Sequence, residues 1–241
     1  MKENIIYFRK SGINHKGLFM RKSAGTSKIY KVCKKIKFIR ATSGAIIDTN
    51  YKWTSNNVKV EIKFKNLTTS SATIFGSEDR INESTETSGQ YSTIGHTSMY
   101  NGLRMAWYIG KEAVLGLSDS YPTTDIHTMS IETNEENSRI ICTIDGNSQT
   151  YTNANAVIVN KTISNSIFGS HWNDSYSQFA PCDVYYCKMW DNGNLVRDLY
   201  PIKNGQIING ITSTVDGFYD RVRHEFYSNI TNDGSITYIE E

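Results

Sequence analysis

Alternation of apolar and polar residues is the main pattern along most of this chain. The clearest case lies within 58–64, where Val58, Val60, Ile62 and Phe64 alternate with charged residues, as expected for a strand with one buried face. No segment keeps a helical period for more than a turn or two. Turn signals separate further short runs, which predict strands within 36–40, 45–49, 72–77, 103–109, 113–117, 127–133, 138–144, 148–152, 157–160, 166–169, 207–212, 217–219 and 225–227.

The strongest local signal is a hairpin within residues 182–200. Asp191-Asn192-Gly193-Asn194 separates two apolar-rich runs, and an Asn-Gly pair in that position favours a type I′ turn, which needs positive φ at both central residues. Both faces carry large side chains, so we expect this hairpin inside a sandwich. Strict alternation on the first arm predicts one face with Val184, Tyr186, Lys188 and Trp190, and a second with Asp183, Tyr185, Cys187 and Met189.

Two parts of the chain carry a family resemblance. The run YYCKMWDNGNLVRDLYP, with Gly217-Phe218-Tyr219-Asp220 and Glu225-Phe226-Tyr227-Ser228-Asn229 after it, resembles the closing segment of concanavalin A-like (LamG-type) jelly-roll domains. Ala45-Ile46-Ile47-Asp48-Thr49, the strand at 58–64 and Ile74-Phe75-Gly76-Ser77 resemble the opening of the same domain. The resemblance covers about residues 36–241 and implies an all-β sandwich of two antiparallel sheets. Such domains are frequent in bacteriophage virion proteins and some bacterial surface proteins, but these motifs say little about a ligand.

Charge divides the chain unevenly. Residues 1–40 hold 12 Lys and Arg with one acid, whereas residues 41–241 have a net charge of −9. We interpret residues 1–35 as a basic N-terminal arm and residues 36–241 as the jelly-roll domain. The arm is a solvated tail, an anchor on an acidic protein surface through Arg9, Lys10, Arg21 and Lys22, or, as the least favoured alternative, a nucleic-acid contact. The resemblance favours the anchor.

Composition narrows the cellular setting. The 241 residues are 38% hydrophobic, enough for one sizeable β domain. No apolar run reaches the roughly 18 residues of a membrane span, and no signal peptide is readable. Together with the phage virion setting that the resemblance implies, this leads us to expect a virion protein made in the host cytoplasm, without membrane insertion. The four cysteines form no Cys-x-x-Cys pair, which favours free thiols in the core over zinc or redox sites.

Catalytic and metal signals are weak. Glu132, Asn134 and Glu136 share a strand face in the arrangement that some glycoside hydrolases of this fold use, but the middle acid is Asn and the stretch is a predicted hairpin tip. The five histidines are widely separated, with no zinc-binding spacing. We expect no catalytic residues, no metal ligands and no cofactor. Calcium at Asp119 or at Asp145-Gly146-Asn147 is left open, because LamG-type domains often bind it at a rim.

Carbohydrate binding has the best local candidate. Sugar sites combine an aromatic ring with polar groups for the hydroxyls, and the predicted loop at 170–176 supplies both. The alternative is that its Trp packs on a sheet edge. Trp53 is a weaker candidate, whereas Trp107 and Trp190 lie in predicted strands and are better core candidates than Trp172. The long polar stretch at 78–101 is a second candidate loop, in which a short strand near 91–94 is left open. The predicted ligand-binding residues are His171, Trp172, Asn173, Asp174 and Tyr176.

These observations lead to one functional expectation and two alternatives. The expectation is a phage accessory or fibre protein that displays a lectin-like domain to host-surface glycans and is anchored through its basic arm. Its partners would be other virion proteins, host carbohydrate and copies of itself. The first alternative is a purely structural capsid or tail protein whose jelly roll mediates assembly. The second is a glycoside hydrolase of the same fold.

Overall fold

The computed structural model describes most of the chain in two compact units. It covers residues 20–23, 26–29, 35–68, 72–80, 89–97, 102–109, 112–118, 125–152, 159, 161–172 and 175–240. The first unit ends at Lys35 and contains a two-stranded hairpin of β1 (Met20–Ser23) and β2 (Thr26–Ile29). The second unit is Ile36–Glu240. Arg21 and Lys22 lie on β1, whereas Arg9 and Lys10 fall outside the described residues.

The larger sheet of the second unit has ten strands, all paired antiparallel. Its main order is β12-β11-β10-β5-β16-β17-β20-β21, and β3 pairs with both β16 and β22. The strands are β3 (Ile36–Ala41), β5 (Val58–Asn66), β10 (Ile126–Asn134), β11 (Arg139–Ile144), β12 (Asn147–Thr152), β16 (Cys182–Asp191), β17 (Asn194–Ile202), β20 (Gly217–Asp220), β21 (Glu225–Ser228) and β22 (Ile236–Glu240).

The smaller sheet has eight strands. Its main order is β15-β14-β6-β7-β8-β9, and β13 pairs with β6 and β4. A separate short hairpin joins β18 (Ile207–Ile208) to β19 (Ile211–Thr212). The strands of the smaller sheet are β4 (Ile47–Asp48), β6 (Ala72–Arg80), β7 (Gly89–Thr97), β8 (Gly102–Ile109), β9 (Glu112–Ser118), β13 (Ser166–Ile167), β14 (Ser170–Trp172) and β15 (Ser175–Ser177).

One hydrophobic core joins the two sheets. Val58, Val60, Ile62 and Phe64 on β5 are each at most 2% exposed, so the alternation in the sequence marks the buried face of this strand. Residues of the smaller sheet, including Phe75, belong to the same core cluster. The described residues form strands, turns and no helix, which confirms the all-β prediction. Consistent with this, no helix among them could span a membrane.

Several element predictions need correction. The stretch at 78–101 is not one long loop, because β6 extends to Arg80 and β7 occupies Gly89–Thr97. The short strand left open near 91–94 is therefore present and longer than expected, while 81–88 and 98–101 lie outside the described residues. The predicted strand at 157–160 has one described residue, Val159, which is buried but not in a strand. The sequence pattern also missed β22, whose residues are mostly exposed and therefore lack a clear alternation.

The predicted hairpin at 182–200 is confirmed, with one change on its first arm. Asn192 and Gly193 have φ values of 48° and 77°, as a type I′ turn requires. The register against β5 shifts between Val184 and Tyr186, which indicates a β-bulge. The strict alternation was therefore wrong at this point, because the bulge places Val184 in the core with Cys187 and Met189, and leaves Tyr186 half-buried.

The last residue of β16 ties the hairpin to the segment that crosses between the sheets. The Asp191 carboxylate accepts hydrogen bonds from the Tyr51 hydroxyl (2.8 Å), from the backbone N–H and hydroxyl of Thr54 (2.6 and 2.8 Å), and from the backbone N–H and hydroxyl of Ser55 (3.1 and 2.5 Å). These donors lie between β4 of the smaller sheet and β5 of the larger one. One carboxylate therefore holds the crossover against the central hairpin.

These hydrogen bonds also set the protonation of Asp191. Burial raises the pKa of the carboxyl, but the hydrogen bonds from Ser55, Thr54 and Tyr51 together lower it by more than burial raises it. The pKa of Asp191 therefore lies below its usual value of 3.8. The carboxylate form is therefore the one that the fold stabilises.

We expect Asp191→Asn to destabilise the domain by about 2–3 kcal/mol, because one amide oxygen cannot accept five hydrogen bonds and its NH₂ would face donors. Urea unfolding of the variant and the parent protein would measure the difference. Because the folded pKa is depressed, this stabilisation is present above the unfolded pKa and is lost as the pH falls through the folded pKa. The deficit of the variant should therefore shrink below about pH 4.

Glu136→Gln is the matched control, since Glu136 is an exposed carboxylate in the turn after β10. It should leave the free energy of unfolding within about 0.5 kcal/mol of the parent value. Equal stability of Asp191→Asn and the control would contradict the role given to Asp191.

Candidate functional site

The predicted sugar-binding loop is a short hairpin at one edge of the smaller sheet. Antiparallel pairing joins β14 to β15, with His171 opposite Tyr176 and Trp172 opposite Ser175, and β14 runs parallel to β6. The expectation of an irregular loop was therefore wrong, because both arms form strands. Asn173 and Asp174, which follow β14 in the sequence, lie outside the described residues, and only the backbone of Trp172 is described.

A tight turn at Phe168 and Gly169 brings the chain into this hairpin. Strand β13 is antiparallel to β6 and β14 is parallel to it, so the chain changes direction at these two residues. Phe168 has a φ of 72° although it is bulky and fully buried, a conformation that non-glycine residues rarely adopt. A Cβ on Gly169 would lie 2.7 Å from Cδ1 of Ile46. Core packing therefore determines where the hairpin begins.

The hairpin brings His171 and Tyr176 together with two residues from distant parts of the chain. The two rings stack, with centroids 4.4 Å apart and an interplanar angle of 30°. The Tyr176 hydroxyl donates to Oδ2 of Asp48 (3.0 Å), and the Ser164 hydroxyl donates to the same oxygen (2.8 Å). Nδ1 of His171 lies 3.0 Å from the Ser164 hydroxyl and 3.5 Å from Oδ2 of Asp48. We call Asp48, Ser164, His171 and Tyr176 the edge cluster.

The contacts of the edge cluster assign its protons. The Ser164 hydroxyl donates its hydrogen to the Asp48 carboxylate. Nδ1 of His171 therefore faces three oxygens: the Ser164 hydroxyl oxygen, the Ser164 carbonyl oxygen at 3.2 Å and the Asp48 carboxylate. All three are acceptors, so Nδ1 carries the hydrogen. Burial and the charge of Asp48 raise the pKa of Tyr176, so its hydroxyl stays a donor. Nε2 of His171 has no hydrogen-bond partner among the described residues, and it is the ring nitrogen left for a ligand.

This arrangement differs from a Ser-His-Asp catalytic triad. In a triad the serine and the aspartate contact opposite nitrogens of the histidine. Here Ser164 and Asp48 both face Nδ1 of His171, and the Ser164 hydroxyl donates directly to Asp48. Ser164 is also 7% exposed. The edge cluster is therefore built to hold side chains in place rather than to activate a nucleophile.

Buried polar groups hold the backbone that follows Asp48. The backbone and hydroxyl of Thr49 donate to the carbonyl of Asn165 (2.9 and 2.7 Å), and Asn165 donates in turn to the carbonyl of Tyr51. Arg197, which is 6% exposed, donates from Nε to the carbonyl of Thr49 (3.0 Å) and from a terminal nitrogen to that of Asn50 (3.3 Å). The backbone that follows Asp48 is thus fixed by buried polar residues.

The other candidate catalytic and metal-binding residues make structural contacts in the described part of the chain. Glu132 lies in β10 and pairs with Lys59 (3.3 Å), and Glu135 and Glu136 lie in the turn that follows, so the hairpin-tip interpretation is confirmed. Asp145 accepts from the backbone of Thr128 and lies 2.7 Å from Nδ1 of His127. No described group of three His, Cys, Asp or Glu residues is placed to hold a metal ion. Calcium at the Asp145 turn stays a prediction.

The structure also tests the predictions made for the cysteines and tryptophans. Cys142, Cys182 and Cys187 are free and buried, as predicted, while Cys33 lies outside the described residues. Trp53 is 1% exposed and belongs to the core, so the prediction that it is a weaker candidate for glycan contact was wrong. Trp190 was a better core candidate than Trp172 but is half-buried.

Asp48 and Ser164 were absent from the predicted site. Asp48 lies 116 positions before Ser164 in the sequence, and no local motif links them. The only available signal was the polar character of residues 48–50 directly after the apolar run of 45–47. Their approach to the hairpin depends on the pairing of β13 with both β4 and β6.

Comparison with known proteins identifies the fold of the chain but no sequence family. No family model matches the chain, and no curated protein matches it. A putative carbohydrate binding protein from Bacteroides ovatus has a TM-score of 0.57 at 10% identity, covering 86% of this chain and 61% of that one. The heptameric SAP-like pentraxin from Limulus polyphemus has a TM-score of 0.53 at 8% identity, covering 87% and 98%.

A third similar structure is a carbohydrate-binding module. The CBM40 of the Ruminococcus gnavus IT-sialidase has a TM-score of 0.52 at 9% identity, covering 66% of this chain and 91% of that one. At these identities the similarity shows the fold alone. Together with the two sheets and their shared core, it confirms that the chain adopts a concanavalin A-like jelly-roll fold.

Proposed function

We propose that this protein binds carbohydrate through its jelly-roll domain, at the edge cluster and the hairpin tip beside it. The observation that carries the proposal is the stacked pair of His171 and Tyr176 at the sheet edge, held by Asp48 and Ser164. Similar structures support it, since the Ruminococcus gnavus CBM40 has also been determined with α2,3-sialyllactose, at a TM-score of 0.51 and 8% identity to this chain.

The edge cluster would supply orientation and polar contacts. Because Nδ1 of His171 faces Asp48 and Ser164, its ring is held in one orientation, and Nε2 would accept a hydrogen bond from a sugar hydroxyl. Trp172, Asn173 and Asp174 would add an aromatic ring and further polar groups from the hairpin tip. A site held in place before binding loses less conformational entropy when the sugar binds.

The wider setting that we propose is a bacteriophage virion. The basic N-terminal region, including Arg9, Lys10, Arg21 and Lys22, would attach the protein to acidic surfaces of other virion proteins, and the jelly roll would face host-surface glycans. Assembly into a homo-oligomer would present several copies of a weak site together and raise the overall affinity. The heptameric Limulus pentraxin offers a precedent for an oligomer of this fold.

We expect the full-length protein to bind selected glycans on a panel saturably, and Trp172→Ala to weaken that binding about tenfold, as loss of one stacking ring should. Tyr238→Ala is the matched control, because Tyr238 is an exposed ring on β22. Binding of the control should stay within about twofold of the parent protein.

A well-folded protein that binds no glycan would contradict the proposed function and favour a structural role in particle assembly. Equal effects of Trp172→Ala and Tyr238→Ala would contradict the assignment of the site. Near-ultraviolet circular dichroism of each variant would show that the fold is retained.

The attachment proposal predicts a salt effect. Isolated particles that carry the protein should release more of it as the salt concentration rises from about 0.1 M to about 1 M, because the Debye length shortens from roughly 10 Å to 3 Å. Replacing Arg9, Lys10, Arg21 and Lys22 by Gln should cause release at lower salt. Release that is independent of salt in both proteins would mean that packing or strand exchange holds the arm.

A further inference from the structure

The outward face of the larger sheet carries a row of positive charges placed over aromatic rings. Five cations lie 3.8–5.6 Å from a ring centroid, a distance at which the cation and the ring attract each other. The pairs are Arg40 on Phe38, Lys59 on Trp190, Lys63 on Tyr185, Lys188 on Tyr186 and Arg221 on Tyr200. We call these ten residues, together with Lys65 on β5, the cationic face.

Strand pairing places these residues side by side. Lys59 is opposite Trp190 and Lys63 is opposite Tyr186 in the pairing of β5 with β16. Lys188 is opposite Asp198 of β17. Since neighbouring strands lie about 4.8 Å apart, the face is continuous from β5 across β16 to β17. Its aromatic residues on β16 are half-buried, so part of each ring remains accessible.

Some of the cations are already neutralised within the protein. Arg40 forms two hydrogen bonds with Asp183 (2.6 and 2.9 Å). Arg221 contacts Asp198 through Nε (2.8 Å) and a terminal nitrogen (2.7 Å). Lys59 pairs with Glu132 at 3.3 Å. These three contacts leave little charge for a ligand at those positions.

The remaining lysines form no ion pair in the described part of the chain, although acidic residues stand opposite Lys65 and Lys188 in the strand pairing. No described carboxylate lies within ion-pair distance of Lys63, Lys65 or Lys188. Glu61, which is opposite Lys188, instead accepts a hydrogen bond from the Tyr186 hydroxyl (3.0 Å). The face therefore presents three lysines without an ion pair, with the Glu61 carboxylate beside them.

The rings beneath these charges are held in place. Tyr186 and Tyr200 stack with centroids 6.3 Å apart and an interplanar angle of 28°. Burial and the hydrogen bond to Glu61 raise the pKa of Tyr186 to about 12, so its hydroxyl remains a donor and the ring stays uncharged. A flat aromatic surface with ammonium groups above it suits a ligand that has both apolar ring faces and negative charge.

We propose that the cationic face binds an acidic polysaccharide, with its carboxylates on Lys63, Lys65 and Lys188 and its sugar rings against Tyr185 and Tyr186. The choice of a glycan as the polyanion rests on the proposed function. The charge pattern supports that choice over nucleic acid. Glu61 and Glu132 lie among the lysines and would repel double-stranded nucleic acid, which carries one phosphate charge per roughly 1.7 Å of helix axis.

The spacing of the three lysines fits a ligand whose negative charges are farther apart than the phosphates of nucleic acid. Lys63 and Lys65 are two residues apart on one strand and therefore about 7 Å apart along it. Lys188 lies on the next strand. A polymer with one carboxylate per sugar or per disaccharide places its charges farther apart than phosphates and would pass between the two glutamates with less repulsion.

The test uses the full chain and four soluble polymers: polysialic acid, polygalacturonate, neutral dextran and double-stranded DNA. Binding would be measured by isothermal titration calorimetry at about 50 mM and about 300 mM salt. The variant is Lys63→Gln with Lys188→Gln. The matched control is Lys52→Gln with Lys161→Gln, which makes the same change in net charge at exposed lysines outside the strands.

We expect an acidic polysaccharide to bind more tightly than dextran or DNA, and the Lys63/Lys188 variant to bind it at least about tenfold more weakly. The control should stay within about twofold. Absence of binding to both acidic polysaccharides would overturn the proposal. Equal losses in the variant and the control would also overturn it, since net charge alone would then explain binding. Equal or tighter binding of DNA would show a nucleic-acid surface instead.

The same experiment separates this proposal from the proposed function. Trp172→Ala should keep its affinity for the acidic polysaccharide, because Trp172 lies on the smaller sheet. Polymer binding that survives Trp172→Ala while the glycan panel is negative would support the cationic face and contradict the edge site. Loss of polymer binding in Trp172→Ala, with no effect of the lysine variant, would place acidic ligands at the edge site and overturn the cationic face.

Discussion

The crossover between the two sheets depends on one buried carboxylate. Asp191 ends β16 in the middle of the larger sheet and accepts five hydrogen bonds from residues 51–55, which lead from β4 to β5. Burying a charge is costly unless hydrogen bonds compensate it, and here they do so well enough to keep the pKa below its usual value. The sheets are therefore connected through a polar contact as well as a hydrophobic core.

Buried polar groups continue this network towards the edge cluster. Arg197 follows on the second arm of the same hairpin and holds the carbonyls of Thr49 and Asn50, and Asn165 holds Thr49 and Tyr51. Asp48 is thus positioned by the same hairpin that binds the crossover. The position of the proposed sugar site follows from how the two sheets are joined, not from the hairpin at 170–177 alone.

The two proposed surfaces use different physical principles. In the edge cluster the polar atoms are mostly satisfied within the protein, so it offers a fixed ring pair and one free imidazole nitrogen. The cationic face offers lysines that form no ion pair, above rings that are half-buried. The first suits recognition of a single sugar through oriented hydrogen bonds, and the second suits a longer chain through repeated weak contacts.

The sequence alone determined the strands with strict alternation and the turns with special backbone needs. Val58, Val60, Ile62 and Phe64 marked a buried face, and Asn192-Gly193 marked the turn, because side-chain period and φ preference are local properties. The sequence also brought His171 and Tyr176 into one candidate site.

Only the tertiary structure decided the rest. The bulge at Tyr185 depends on pairing with β5, and β22 is a strand because it pairs with β3, although its exposed residues carry no alternation. Asp48 and Ser164 meet His171 through β4 and β13, and Lys63 and Lys188 share a face through β5 and β16. These contacts join residues more than 100 positions apart, or depend on register, and neither property is encoded in a local pattern.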